Sequence, residues 1–230
     1  MPAALLNPVL DLLTLRGLVT AAEPITDRMR RLRVEGDTLA GLDVQPGQQV
    51  RVLVSGLTLR TYSVWRYDPS GAVELCVLDH SEGGPGARWG KSVGVGEQVR
   101  LRKPEGTFTL RSDAAHHVFV GEETASVAFG AMLAALPEGA RVSGCVETET
   151  AGDRLPLAHS DRLNWLTRGG TSLPDAVRQL APVPGGGIAY VAGEARTVQH
   201  VRQVLVRELG WDRRSVLTKP FWAPGKHGLD

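Results

Sequence analysis

Residues 117–136 read His-Val-Phe-Val-Gly-Glu-Glu-Thr-Ala-Ser-Val-Ala-Phe-Gly-Ala-Met-Leu-Ala-Ala-Leu, and this stretch decides the fold class. His117 to Val120 is a short apolar run of strand length. From Ala125 the apolar positions switch to helical spacing, with Val127, Phe129, Met132, Leu133 and Leu136 on one side. A buried strand running through a glycine turn into a helix is the opening of a crossover unit.

Towards the C-terminus the alternation continues. Strands are expected at Val142 to Glu147, Leu163 to Leu166 and Ile188 to Ala192, with helices at Leu173 to Leu180 and Thr197 to Leu209. Such alternation means a mainly parallel sheet, Rossmann-like in kind. Towards the N-terminus the texture differs. From about residue 18 to 110 short strands are separated by turn signals, among them Gln49 to Val54, Arg60 to Arg66, Ala72 to Leu78 and Gln98 to Arg102. Turns fall at Gln45-Pro46-Gly47-Gln48 and Asp68-Pro69-Ser70-Gly71, where proline presets φ and glycine permits a positive one. Short strands at this spacing predict a closed antiparallel barrel. The expected organisation is a β-barrel over 1–112 followed by an α/β domain over 113–230.

Composition narrows the function. A formal net charge of +1 over 230 residues provides no broad basic field, which argues against a general nucleic-acid or membrane-surface binder. The longest uncharged run, Gln179 to Gly193, contains Pro182, Pro184 and three consecutive glycines, and is too short and too broken to span a bilayer. The first residues lack a basic region before their apolar ones, so no secretory signal is read there. Cys76 and Cys145 each lie in an expected strand, with no metal or disulfide spacing, and are read as apolar packing in a reducing cytoplasm. His116 and His117 would point to opposite faces of a strand, so joint metal ligation is not expected. His159, His200 and His227 show no ligand spacing, and no Ser-His-Asp or paired-carboxylate arrangement supports a hydrolase.

Two segments of the barrel half carry chemistry. Arg60-Thr61-Tyr62-Ser63 offers a cation for a pyrophosphate, an aromatic ring and a hydroxyl, the three things a flavin requires. His80 through Trp89 reads His-Ser-Glu-Gly-Gly-Pro-Gly-Ala-Arg-Trp, a glycine-rich turn before a short helix whose backbone N–H groups suit a pyrophosphate. In the α/β half, Gly121 to Thr124 and Ala192-Gly193-Glu194 end strands at the crevice where open sheets bind ligands. Thr124 also fits a helix cap. Glu147, at the end of another strand, fits either a ribose hydroxyl or a solvated strand end. The Gly-x-Gly-x-x-Gly fingerprint of the dinucleotide-binding dehydrogenases is absent.

Taken in order, these segments resemble the siderophore-interacting protein family, the ferric-siderophore reductases within the ferredoxin–NADP reductase superfamily. The resemblance is carried by Arg60-Thr-Tyr-Ser-Val-Trp-Arg-Tyr-Asp68, Gly84-Pro-Gly-Ala-Arg-Trp-Gly90, Gly121-Glu-Glu-Thr-Ala125, Trp165-Leu-Thr-Arg168, Ala192-Gly-Glu-Ala195 and Lys219-Pro-Phe-Trp222, which together span nearly the whole chain. Two departures are mild. The family more often has Thr at position 63 and reads Gly-Asp-Glu-Thr where this chain has Gly121-Glu122-Glu123-Thr124. At position 65 a basic residue is common, and Trp65 leaves open whether it packs on a flavin or on the barrel.

The resemblance implies FAD as cofactor, NADPH or NADH as donor with ferredoxin as an alternative donor, and a ferric siderophore as acceptor. It implies that Arg60, Thr61, Tyr62, Ser63, His80, Gly84, Pro85, Gly86, Ala87 and Trp89 hold the flavin, with Ser63 near its N5 edge. Glu123, Thr124, Gly193 and Glu194 would serve the nicotinamide, and no metal ligand is implied. A C-terminal tail returning toward the flavin would bring Trp222 beside it, with Lys219 and Lys226 facing the anionic ferric chelate. The same residues would also suit an electron donor for another enzyme, or a non-catalytic flavin- or siderophore-binding protein.

Overall fold

A computed structural model describes residues 14–79, 84–183 and 187–226. The chain divides into two compact units, Met1–Thr107 and Phe108–Asp230.

The first unit is a closed antiparallel barrel of six strands in the order β1-β2-β5-β4-β3-β6. These are β1 Leu15–Pro24, β2 Met29–Glu35, β3 Gln49–Ser55, β4 Thr58–Asp68, β5 Ala72–Leu78 and β6 Gln98–Leu101. Alternation along each strand turns one face inward. Val50 and Val52 on β3, Val64 on β4, Val73, Leu75 and Val77 on β5, and Leu32 and Val34 on β2 form the barrel core. Helix α1, Pro85–Ser92, packs against β3 and β5. The β4–β5 register shifts between Val64 and Arg66, and this bulge lets Val64 and Trp65 be buried in succession. Trp65 is 2% exposed with the Arg66 guanidinium 5.2 Å above its ring, so the structure seats it in the barrel wall.

The second unit is a five-stranded parallel sheet in the order β11-β10-β7-β8-β9. Its strands are β7 His117–Glu122, β8 Val142–Thr148, β9 Asn164–Thr167, β10 Ile188–Glu194 and β11 Val216–Trp222, and its helices are α2 Glu123–Ala134, α3 Leu173–Arg178 and α4 Ala195–Gln203. On one face Phe119 stacks on Tyr190 at 5.0 Å and meets Phe129 of α2 edge-on at 5.2 Å. On the other, Val118, Val120, Ala189 and Val191 pack against α3 and α4.

Several expectations change in detail. The last long helix does not run regularly to Leu209; it widens after Gln203 into a π-helical turn over Val204–Glu208. The tail expected to follow the final strand is itself that strand through Trp222. Pro220 is tolerated because β11 lies at the sheet edge, where a missing N–H breaks no ladder on the outer side. His117 is buried, 2% exposed, with its ring parallel to Tyr190 at 6.3 Å. Cys76 and Cys145 are buried free thiols, and burial pushes the Cys145 thiol up to about 11. No helix among the described residues is long and apolar enough to cross a membrane.

Candidate functional site

In the barrel unit the candidate site is built where α1 meets β4. Arg60 and Tyr62 share one face of the strand, opposite Val52 and Val50 of β3. Gly86, in the first turn of α1, is what permits the approach. A Cβ there would lie 2.8 Å from the Tyr62 hydroxyl and 3.1 Å from Cγ of Arg60. Gly90, one helical turn on, repeats the device against Val77, where a Cβ would come within 2.3 Å of Cγ1. The Tyr62 hydroxyl donates to the Gly86 carbonyl at 3.0 Å, and its ring lies 5.5 Å from that of Trp89. Burial pushes the Tyr62 phenol well above its ordinary pKa, so it remains a donor.

This brings together Arg60, Tyr62, Gly84, Pro85, Gly86, Ala87 and Trp89. Thr61 and Ser63 alternate to the opposite strand face, so the Arg-Thr-Tyr-Ser run does not present its three groups on one side. His80 lies outside the described residues. Helix α1 begins at Gly84, which provides no side-chain acceptor, with Pro85 at its first positions. No side chain among the described residues caps its first-turn N–H groups. Among the described residues Arg60 has no carboxylate partner; its guanidinium donates to the Leu59 carbonyl at 2.7 Å. A helix N-terminus beside an unneutralised guanidinium, brought close by a glycine that a Cβ would overfill, fits a pyrophosphate.

In the α/β unit the crevice lies between β7 and β10, where the strand order reverses. Both strands end in glutamates that cap the helices following them. Glu122 accepts from the Thr124 backbone N–H at 3.0 Å and from the Thr124 hydroxyl, and the Trp222 indole N–H donates to it at 3.1 Å. Glu122 is therefore the cap, and Thr124 is a donor to it two residues into the turn. Burial raises the Glu122 carboxyl pKa, and its three donors offset this only in part. Gly193, at φ +124°, is required here, since a Cβ would sit 2.6 Å from a Glu122 carboxylate oxygen. Glu194 caps α4 by accepting from Arg196 N at 2.9 Å and Thr197 N at 2.8 Å. Burial pushes its pKa up, but these N–H donors outweigh that and hold it below the usual carboxylate value.

A third group sits at the ends of β8 and β9. Arg168 faces Glu147 at 3.3 Å through Nε, Glu149 at 2.8 Å through Nη1 and Glu123 at 3.5 Å through Nη2. Glu123 is 2% exposed, its side chain turned to Arg168 and to the Glu149 backbone N–H. Glu147, with 19% of its side chain exposed, is an ion-pair partner and not a solvated strand end. In the sequence Arg168 stands out only as the last residue of Trp165-Leu-Thr-Arg168. Its signal was available: two glutamates at alternate positions leaving one strand and an arginine leaving the next. Trp222, 38% exposed, ends the edge strand, and Lys219 pairs in register with Ala192; Lys226 lies beyond the strand and is exposed.

Comparison with known proteins places these features. The pattern of the siderophore-interacting protein family matches residues 114–225. The ferric vibriobactin reductase ViuB of Vibrio cholerae is 30% identical over 178 residues, 73% of this chain; the chain spans 65% of that relative's length. A siderophore utilization protein from T. fusca superposes with a TM-score of 0.80 at 25% identity, covering 94% of this chain and 95% of that one. Phthalate dioxygenase reductase, at 18% identity, matches in fold with a TM-score of 0.74 over 93% of this chain and 70% of its own.

Proposed function

We propose that this chain is a member of the siderophore-interacting protein family and an FAD-dependent ferric-siderophore reductase using a nicotinamide nucleotide, since residues 114–225 match that family's pattern and the fold is that of the ferredoxin–NADP reductases. The observation that carries this reading is the approach of α1 to β4 at Gly86, which sets a helix N-terminus beside Arg60.

In this reading the barrel unit is the FAD domain and the α/β unit serves the nicotinamide. Arg60 neutralises the pyrophosphate, while the backbone N–H groups of Gly84, Gly86 and Ala87 donate to it and Pro85, which has no N–H, sets the helix start. Tyr62 and Trp89 hold α1 in place through the Gly86 carbonyl and their ring contact. Ser63 and Thr61 offer hydroxyls on the other strand face, Ser63 being the one assigned to the flavin N5 edge. Thr124 and Gly193 line the crevice; Glu122, Glu123 and Glu194 set its helix ends and Arg168. Trp222 is placed beside the flavin, and Lys219 and Lys226 draw the anionic ferric chelate.

Bound there, FAD would supply the exchange between two-electron and one-electron transfer, with a hydride accepted from the nicotinamide and electrons passed singly to iron, so that each hydride would reduce two ferric chelates. Ferric iron is held strongly by oxygen donors and ferrous iron less so, and reduction therefore loosens the chelate. The test is stopped-flow reduction of the purified protein by nicotinamide nucleotides and by reduced ferredoxin, followed by reoxidation with a panel of ferric chelates. Fast reoxidation by a ferric siderophore supports the proposal. Reduction without reoxidation by any ferric chelate would replace it with an electron donor for another enzyme.

A further inference from the structure

We infer that the donor is a dinucleotide without a 2′-phosphate, NADH in preference to NADPH, and that Glu147 and Glu149 set this preference. The inference rests on the nicotinamide reading of the crevice and names the substrate class within it.

Three observations carry it. First, the helix ends beside the crevice are already satisfied: Glu122 and Glu194 occupy first-turn N–H groups of α2 and α4 that would otherwise attract an anion. Second, β8 neighbours β7 on the far side from β10, and in a βαβ nucleotide unit the end of this second strand meets the adenosine ribose. It is there that Glu147 and Glu149 stand. Third, the cation that could receive a 2′-phosphate is engaged. Each of the three guanidinium nitrogens of Arg168 faces a carboxylate, of Glu147, Glu149 or buried Glu123. Three carboxylates against one guanidinium leave a surplus of negative charge.

A ribose 2′-hydroxyl is a donor and suits this edge. Glu147 meets Arg168 through Oε1, and a carboxylate accepts through both oxygens, so Oε2 can accept a hydrogen bond from the hydroxyl. A 2′-phosphate brings further negative charge to an edge whose Arg168 guanidinium is already engaged by carboxylates. The cations on the opposite side, Arg196 and Lys219, follow β10 and lie on β11, two and three strand spacings from β8, about 10 and 14 Å, beyond the screening length of about 8 Å at physiological salt.

The test is calorimetric titration of the flavin-loaded protein with NAD+ and NADP+, alongside stopped-flow reduction by NADH and NADPH, at low and high salt. The wild type is expected to favour the form without the phosphate by about tenfold at low salt, the size expected for two surplus charges about 10 Å from a phosphate in water. Salt should narrow the gap. The double variant Glu147→Gln/Glu149→Gln keeps side-chain size and frees Arg168, and should narrow it further by strengthening NADP+ binding. Equal affinities, or a preference for the phosphorylated form in the wild type, overturn the inference while leaving the nicotinamide reading intact. Failure of both nucleotides to bind and to reduce the flavin overturns the inference and the nicotinamide reading together.

Discussion

The helix of the barrel unit and the crevice helices of the α/β unit begin in opposite ways. Among the described residues, helix α1 starts at Gly84 with no capping side chain and a guanidinium nearby, whereas α2 and α4 start on carboxylates that take up their first N–H groups. The same backbone dipole is thus left open in one unit and closed in the other. An open end beside Arg60 invites a dianion. Closed ends ringed by glutamates suit hydroxyl donors and backbone contacts. Two nucleotide-type sites in one chain can therefore be told apart by their caps before any ligand is considered.

The largest expected effect breaks the open end. Gly86→Val adds a branched side chain where even a Cβ would meet the Tyr62 hydroxyl at 2.8 Å. Overpacking of this kind costs about 1–3 kcal/mol. Flavin content on purification and the FAD dissociation constant should both worsen, with Gly86→Ala intermediate. Full flavin content in Gly86→Val would mean that α1 need not approach β4.

Removing a closed end should be milder. Glu194→Ala loses the side-chain cap of α4 and should destabilise the α/β unit by about 0.5–2 kcal/mol, read as a shift in its denaturant midpoint. An unchanged midpoint would show the cap to be idle. Smaller again is the pH effect of Glu122. Its folded pKa is raised by burial, so the neutral form favours folding. The stabilisation is fully present below the ordinary carboxylate pKa and is lost as pH rises through the raised one. Stability of the wild type relative to Glu122→Gln should therefore fall over that interval, and a flat difference would mean that Glu122 titrates normally.

Much of this contrast was legible in the sequence, but not its sense. The change from an unbroken apolar run to helical spacing after Val120 marks β7 and α2, because burial on both sheet faces demands such a run. The Arg60 strand and the glycine-rich helix start were equally plain. Strands β1 and β2 stood out less. Ala21, Ala22 and Glu23 have little β propensity, and closure of the barrel places them, with Ala21 opposite Arg33. Pro220 suggested a tail leaving the sheet because sequence does not say which strand is at an edge. The crevice glutamates were legible as ligand contacts, while their bonds to the N–H groups of their own helices depend on rotamers that spacing does not fix. Arg168 joins residues up to 45 positions away, from Glu123 onward, and only the sheet order brings them together.

The central claim, that the open helix end and Arg60 together receive the anionic cofactor, is tested most directly by titrating FAD into the flavin-free protein. Wild type and Arg60→Ala are compared by flavin fluorescence over a range of salt. Loss of a hydrogen bond to a charged group, worth about 1.5–3 kcal/mol, should weaken FAD binding on the order of ten- to a hundredfold and flatten its salt dependence. Equal dissociation constants and equal salt slopes in the two proteins would contradict the account.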